Sequence, residues 1–168
     1  MLGLLAQFAY DFAWTAESVA LVMRLASAFG GDGPLYVEVR HRSWNAAAAL
    51  EALAGLGVGV LALDYPGAAS GFSQDVPGVL GSSGLAYLRL HGRNRAWFEK
   101  GAGRDQVYDW RYSPAEVEQI EQRIERLAAN DTRTLVIANN HFHGKAMMVV
   151  EELLAWYRGG GVNPPASP

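Results

Sequence analysis

The chain has 168 residues, 50% of them hydrophobic, which is enough for one ordinary domain with a buried core. Its 14 Lys and Arg against 17 Asp and Glu, a formal net charge of −3, argue against an extended phosphate-binding face but leave room for a local basic pocket. With no Cys, disulfides and thiolate chemistry are excluded, and no apolar run approaches the roughly 20 residues of a membrane span, so a soluble, cytoplasmic protein is expected.

Short apolar strand candidates alternate with helical stretches, which is α/β organisation. Residues 4–8 open the series, and Thr15 is the expected N-cap of a helix over 16–29 whose apolar stripe includes Leu21, Val22, Leu25 and Phe29. A second strand is predicted over 35–40. Asn45 is then expected to cap an Ala-rich helix that runs to Leu56 and stops at Gly57. Residues 58–64 read as the third strand and 85–91 as the fourth, separated by a Gly/Ser-rich loop over 67–84. A second long excursion covers 92–112. Ser113, Pro114 and Glu116 then fit the N-cap, N1 and N3 positions of a helix ending near Ala129. A fifth strand over 133–138 and a last helix through Tyr157 follow, so that residues 1–158 form one domain and 159–168 a flexible tail.

Strand starts near 4, 35, 59, 85 and 134 suit parallel strands joined by outer helices. Five units fall short of a closed eight-stranded barrel of about 250 residues. An open doubly wound sheet fits the length comfortably, and the pattern alone slightly favours it.

Parity places Glu38 with Arg40, and Arg89 with His91, on one face of their strands, opposite Val37, Val39, Leu88 and Leu90. Asp64, Asn139, Asn140 and His141 stand at the ends of two further strands, where α/β folds place ligands. A buried structural ion-pair network is the competing reading for Glu38, Arg40, Arg89 and Asp64. Arg40, Arg89, Arg93, Asn94, Asn139, Asn140 and His141 are the candidate ligand-binding residues, with Arg40 and Arg93 holding anionic oxygens. His91 is the candidate acid/base, oriented by Asp64 or Glu38. No Walker or dinucleotide glycine pattern is present, so no ATP or NAD is predicted. The four histidines, 41, 91, 141 and 143, lack a diagnostic metal spacing; no cofactor is predicted, with a divalent metal as a minor alternative. Trp44, Trp97, Tyr108, Trp110 and Tyr112 suit either stacking surfaces or core anchors, the latter being favoured.

The segments Gln7-Phe8, 37–44, Asp64-Tyr65-Pro66, 87–94, Trp97, 108–113 and Asn139-Asn140-His141, in this order, make the chain resemble the DUF72, or YecE-like, family. The resemblance implies a TIM-like β/α barrel with the shared polar residues at its C-terminal mouth. Family members are usually longer, with about three β/α units before the stretch matching residues 2–8. The chain is therefore expected to be an amino-terminally truncated member, an incomplete barrel of about five parallel strands whose open edges favour self-association. The usual Pro after Gln-Phe is replaced by Ala9. The resemblance supplies no reaction. Binding of a small phosphorylated or carboxylated ligand at the mouth is the leading expectation, and the alternatives are a hydrolase or phosphoesterase using His91, a nucleic-acid processing domain, and an inactive fragment.

Overall fold

The computed structural model describes residues 3–67, 70–72, 84–128 and 133–162. Strand β1 (Leu4–Gln7) pairs with β2 (Leu35–Glu38), which pairs with β3 (Gly59–Val60); β4 (Ala62–Asp64) pairs with β5 (Leu85–Leu90), which pairs with β6 (Arg133–Ala138). Every pairing is parallel. The single strand expected over 58–64 is thus divided at Leu61, whose N–H still donates to Val37 O at 3.1 Å. Its first half turns to β2 and its second half to β5, so the chain passes from one three-stranded sheet into the other.

Helix α1 (Ala16–Phe29) has the expected bounds, and Thr15 Oγ1 accepts from the Ser18 N–H at 3.2 Å. Helix α2 (Ala47–Gly55) departs from expectation: Ala46 is its N-cap, while residues 42–45 form a separate 3₁₀ turn capped by the His41 ring. The Asn45 amide is engaged elsewhere, donating to Gly71 O at 2.8 Å. The excursion over 92–112 contains a 3₁₀ turn, Arg95–Phe98, and a short helix α3, Arg104–Val107. Helix α4 (Pro114–Ala128) starts in the expected capping box, with Glu116 Oε2 accepting from the Ser113 N–H and hydroxyl. Helix α5 spans Lys145–Arg158. Most of the 67–84 loop and residues 163–168 of the expected tail lie outside the described residues.

Sheet parity explains the packing. Leu35, Val37, Val39, Val58 and Val60 meet Val22 of α1 and Ala49, Leu50 and Leu53 of α2 in one buried cluster. Ala62, Ala86, Leu88 and Leu90 meet Ile120, Ile124 and Leu127 of α4 and Val149 and Leu153 of α5 in another. The opposite strand face carries a third cluster, Tyr36, Leu61, Leu63, Tyr65 and Leu85. Gly59 makes room there, since a Cβ would sit 2.6 Å from the Tyr36 ring, whose hydroxyl crosses to Leu85 O on β5. These helices all cover one face, and the strands follow chain order without reversal. A doubly wound sheet needs both a reversal and helices on both faces. The parallel α/β arrangement is consistent with an incomplete TIM-like barrel.

Candidate functional site

The strand face opposite α1, α2, α4 and α5 becomes polar at the C-terminal ends of its strands. The register pairs Gln7 with Glu38 and Leu63 with Arg89, which brings Gln7, Glu38, Arg40, Arg89 and His91 onto that face. Glu38 is the hub and is fully buried. Arg40 Nε donates to Glu38 Oε1 at 3.0 Å, and its Nη2 donates to the same oxygen. Arg89 Nη1 donates to Glu38 Oε2 and, at 3.2 Å, to Gln7 Oε1. His91 Nε2 lies 3.3 Å from Glu38 Oε1. That contact is close without hydrogen-bond alignment; neither ring nitrogen, nor Arg89 Nε, has a hydrogen-bond partner among the described residues.

Burial alone would raise the Glu38 pKa. The His91 contact and the charges of His91, Arg40 and Arg89 outweigh it, bringing the carboxyl down to about 2. For His91 burial dominates and lowers its pKa against the pull of Glu38, with Arg89 and Arg40 adding to the lowering. The imidazole is therefore neutral at pH 7, so the lasting counter-charges to Glu38 are two guanidiniums. One carboxylate facing two guanidiniums leaves the group with an excess of one positive charge.

Aromatic rings continue outward from this charge group. The Arg40 guanidinium lies 5.1 Å from the centre of the Trp97 ring, and His91 meets the same ring edge-on at 5.6 Å. Tyr108 is edge-on to Trp97 at 5.7 Å and lies 5.1 Å from the His141 ring. Local structure holds these rings: Trp97 Nε1 donates to Val107 O at 3.1 Å, tying the 3₁₀ turn to α3.

Asp64 belongs to a different group. Parity turns its side chain to the helix-covered face, where Arg93 grips it with Nε at 3.1 Å from both oxygens and Nη2 at 2.8 Å from Oδ1. Tyr112 Oη donates to Asp64 Oδ2 at 2.8 Å, and Arg123 of α4 adds a longer contact of 3.5 Å. Arg93 Nη1 donates to Gln119 at 2.8 Å and lies 3.6 Å from Glu116. Asp64 touches the other group only through its backbone, its carbonyl accepting from the His91 N–H at 2.8 Å. The expected single cavity is thus two groups on opposite sheet faces: Glu38 is the carboxylate beside the imidazole, and Arg93 is engaged by Asp64.

The remaining candidates do mainly local work. Asn94 Oδ1 caps the 95–98 turn, and its amide donates to Gln106 O and Asp109 O, both at 2.8 Å. Asn139 extends the β5–β6 ladder through its N–H to Leu90 O at 2.7 Å. The buried Asn140 donates to Trp110 O at 2.9 Å, while its Oδ1 has no hydrogen-bond partner among the described residues. His141 Nδ1 lies 2.8 Å from Asn139 O. Among the described residues no three His, Asp or Glu side chains converge as a metal site would require. Sequence reasoning missed Gln7 as a site residue, although its strand parity matches that of Glu38, and it missed Tyr112, Gln119 and Arg123 as partners of Asp64 and Arg93.

The family model described as "Protein of unknown function DUF72" matches residues 2–166. The chain belongs to the DUF72 family. A DUF72 family protein from Thermotoga maritima superposes with a TM-score of 0.82 at 27% identity, covering 93% of this chain and 57% of that protein. Two crystal structures of a DUF72 family protein from Enterococcus faecalis, each 21% identical, superpose with TM-scores of 0.75 and 0.71 and show the shared fold. They cover 97% and 92% of this chain and 59% and 60% of that protein. The DUF72 chain therefore spans less than two thirds of the length of each. A search of the curated proteins finds no match. No described helix is long and apolar enough to cross a membrane.

Proposed function

We propose that this DUF72 chain binds a small phosphorylated or carboxylated ligand at the polar strand ends, which would be the mouth of an incomplete TIM-like barrel. The observation that carries the reading is the convergence of Arg40 and Arg89 on the single carboxylate of Glu38, with the buried Arg89 Nε lacking a hydrogen-bond partner among the described residues. A purely structural network would match its charges and satisfy its donors. Here an anion would balance the excess charge of the two guanidiniums. Arg93 takes no part, because Asp64 and Gln119 occupy its donors. The test is calorimetric titration of the full chain with inorganic phosphate and citrate. Arg40→Gln, which leaves Arg89 on Glu38, is expected to weaken binding at least tenfold. Absence of binding by both anions would overturn the reading.

The contact between Glu38 and His91 favours a second reading, hydrolysis of a phosphate ester with His91 as the base. Burial keeps the imidazole neutral and hence able to take a proton, and Glu38 faces the ring nitrogen at 3.3 Å. Release of p-nitrophenol from p-nitrophenyl phosphate, lost in a folded His91→Asn variant, would support it. No turnover across a panel of phosphate esters would count against it. A nucleic-acid role has less support, given the net charge of −3.

A further inference from the structure

Trp44 and Tyr112 are fully or almost fully buried and sit in the hydrophobic clusters beneath the helices, as aromatic core anchors do. Trp97 and Tyr108 differ. Both are partly exposed and belong to none of the three hydrophobic clusters among the described residues. Their ring and cation neighbours are each other, His91, the exposed His141, the Arg40 guanidinium and, for Trp97 at 6.4 Å, the edge of the third cluster at Tyr65. The rings of His91, Tyr108 and His141 are inclined to one another by only 38° and 33°, a loosely layered row leading from the charge group to solvent. Inorganic phosphate seated against Arg40 and Arg89 would leave this row unused. A ligand whose anionic group is joined to a flat ring would use both, because ring faces stack on aromatic side chains next to the cation that holds the anion.

We infer that the ligand of this site is an anion joined to a flat, aromatic or heteroaromatic ring, its charge held by Arg40 and Arg89 and its ring set against the perpendicular pair Trp97 and Tyr108, face to one and edge to the other. The inference rests on the anion-binding reading above and narrows it from any small phosphate or carboxylate to a ring-bearing one. Tyr108 is the residue to test, since Trp97 also ties the 3₁₀ turn to α3 through Val107.

The full chain would be titrated by calorimetry with inorganic phosphate, ribose 5-phosphate, adenosine 5′-monophosphate and adenosine. The monophosphate nucleoside is expected to bind about tenfold or more tighter than ribose 5-phosphate. Tyr108→Leu should remove most of that advantage while leaving phosphate binding unchanged, and Tyr108→Phe should restore it. Equal affinities for ribose 5-phosphate and the nucleotide would overturn the ring inference and leave the anion reading standing. Equal affinities for adenosine and the nucleotide would overturn it as well, by showing that charge is not read. No binding by any of the four would overturn both readings. A Tyr108→Leu variant that keeps the full advantage would show that the ring rests elsewhere and sink the assignment.

Discussion

The imidazole of His91 and the carboxylate of Glu38 meet at 3.3 Å with neither side chain exposed to solvent. An ion pair so placed would be costly to desolvate. The cost falls because His91 stays neutral and the arginines carry the counter-charge. Each group then titrates away from its ordinary range, and stability must depend on pH.

For Glu38 the folded pKa is about 2 against an ordinary 4.5. Its contribution is present above pH 4.5 and is lost as the pH falls toward 2, amounting to about 3 kcal/mol at full strength. His91 titrates below its ordinary 6.5 in the folded state. The unfolded chain binds that proton first, so stability is also lost as the pH falls below 6.5. Urea unfolding at a series of pH values should show decline in two stages, below 6.5 and again below 4.5. His91→Asn should flatten the first stage and, by removing one of the partners that hold the Glu38 pKa down, also shrink the second. An unchanged slope between pH 6.5 and 5 in that variant would contradict the assignment.

Removing the hub should cost more than protonating it gradually. Glu38→Gln leaves two largely buried guanidiniums without their carboxylate, a loss expected to reach about 3–5 kcal/mol. Glu38→Gln combined with Arg89→Met restores a charge-balanced pair of deletions and should recover part of that loss. Denaturant midpoints of the wild type, both single variants and the double variant would measure the coupling.

Alternation along strands 35–40 and 85–91 was enough to place Glu38, Arg40, Arg89 and His91 on one face, because a period of two leaves no other choice. The same parity applied to Asp64 would have set it opposite Leu63 and so away from Arg89, with which Leu63 is in register. Proximity to a strand end hid that distinction. The bounds of α1 and the start of α4 were legible from Thr15 and Ser113, since caps are local chemistry. The helix start at Ala47 was not, because Asn45 is drawn away by a contact to Gly71, distant in sequence. Nor did periodicity show the order of the strands. Both outer and inner faces of a parallel sheet read as apolar along most of their length, so only pairing reveals which strand neighbours which.

On the helix-covered side, Tyr112 joins two neighbours in a short chain: the Gly92 N–H donates to Tyr112 Oη at 2.9 Å, and Tyr112 Oη donates to Asp64 at 2.8 Å. Burial and the nearby Asp64 charge keep the phenol protonated by raising its pKa. Tyr112→Phe preserves the ring in its core cluster but strands the Gly92 N–H and takes one of two donors from Asp64 Oδ2, which keeps Arg93 Nε. A loss of about 1–3 kcal/mol is expected from thermal or urea unfolding. Faster amide exchange at Gly92 should accompany it, which a general loss of ring packing would not confine to that position.

The residue that lets this segment approach so closely is Gly92, at a φ of +84° next to His91. A Cβ there would lie 2.6 Å from Trp110 Cβ and 3.5 Å from Asn140 Cβ, with no flexible chain end to yield. Gly92→Ala combines the left-handed backbone penalty of about 1–2 kcal/mol with displacement of Trp110, so a destabilisation above about 2 kcal/mol is expected. Because Asn140 donates to Trp110 O, a shift of Trp110 should also loosen the turn after β6. Gly144→Ala is the matched control: its φ is +73° but nothing lies within 4 Å of its Cβ, so only the backbone penalty applies. Equal losses in the two variants would show that Trp110 yields freely and that the clash contributes nothing. A clearly larger loss at Gly92 is the expected result, and proton chemical shifts of the Trp110 indole would report its movement.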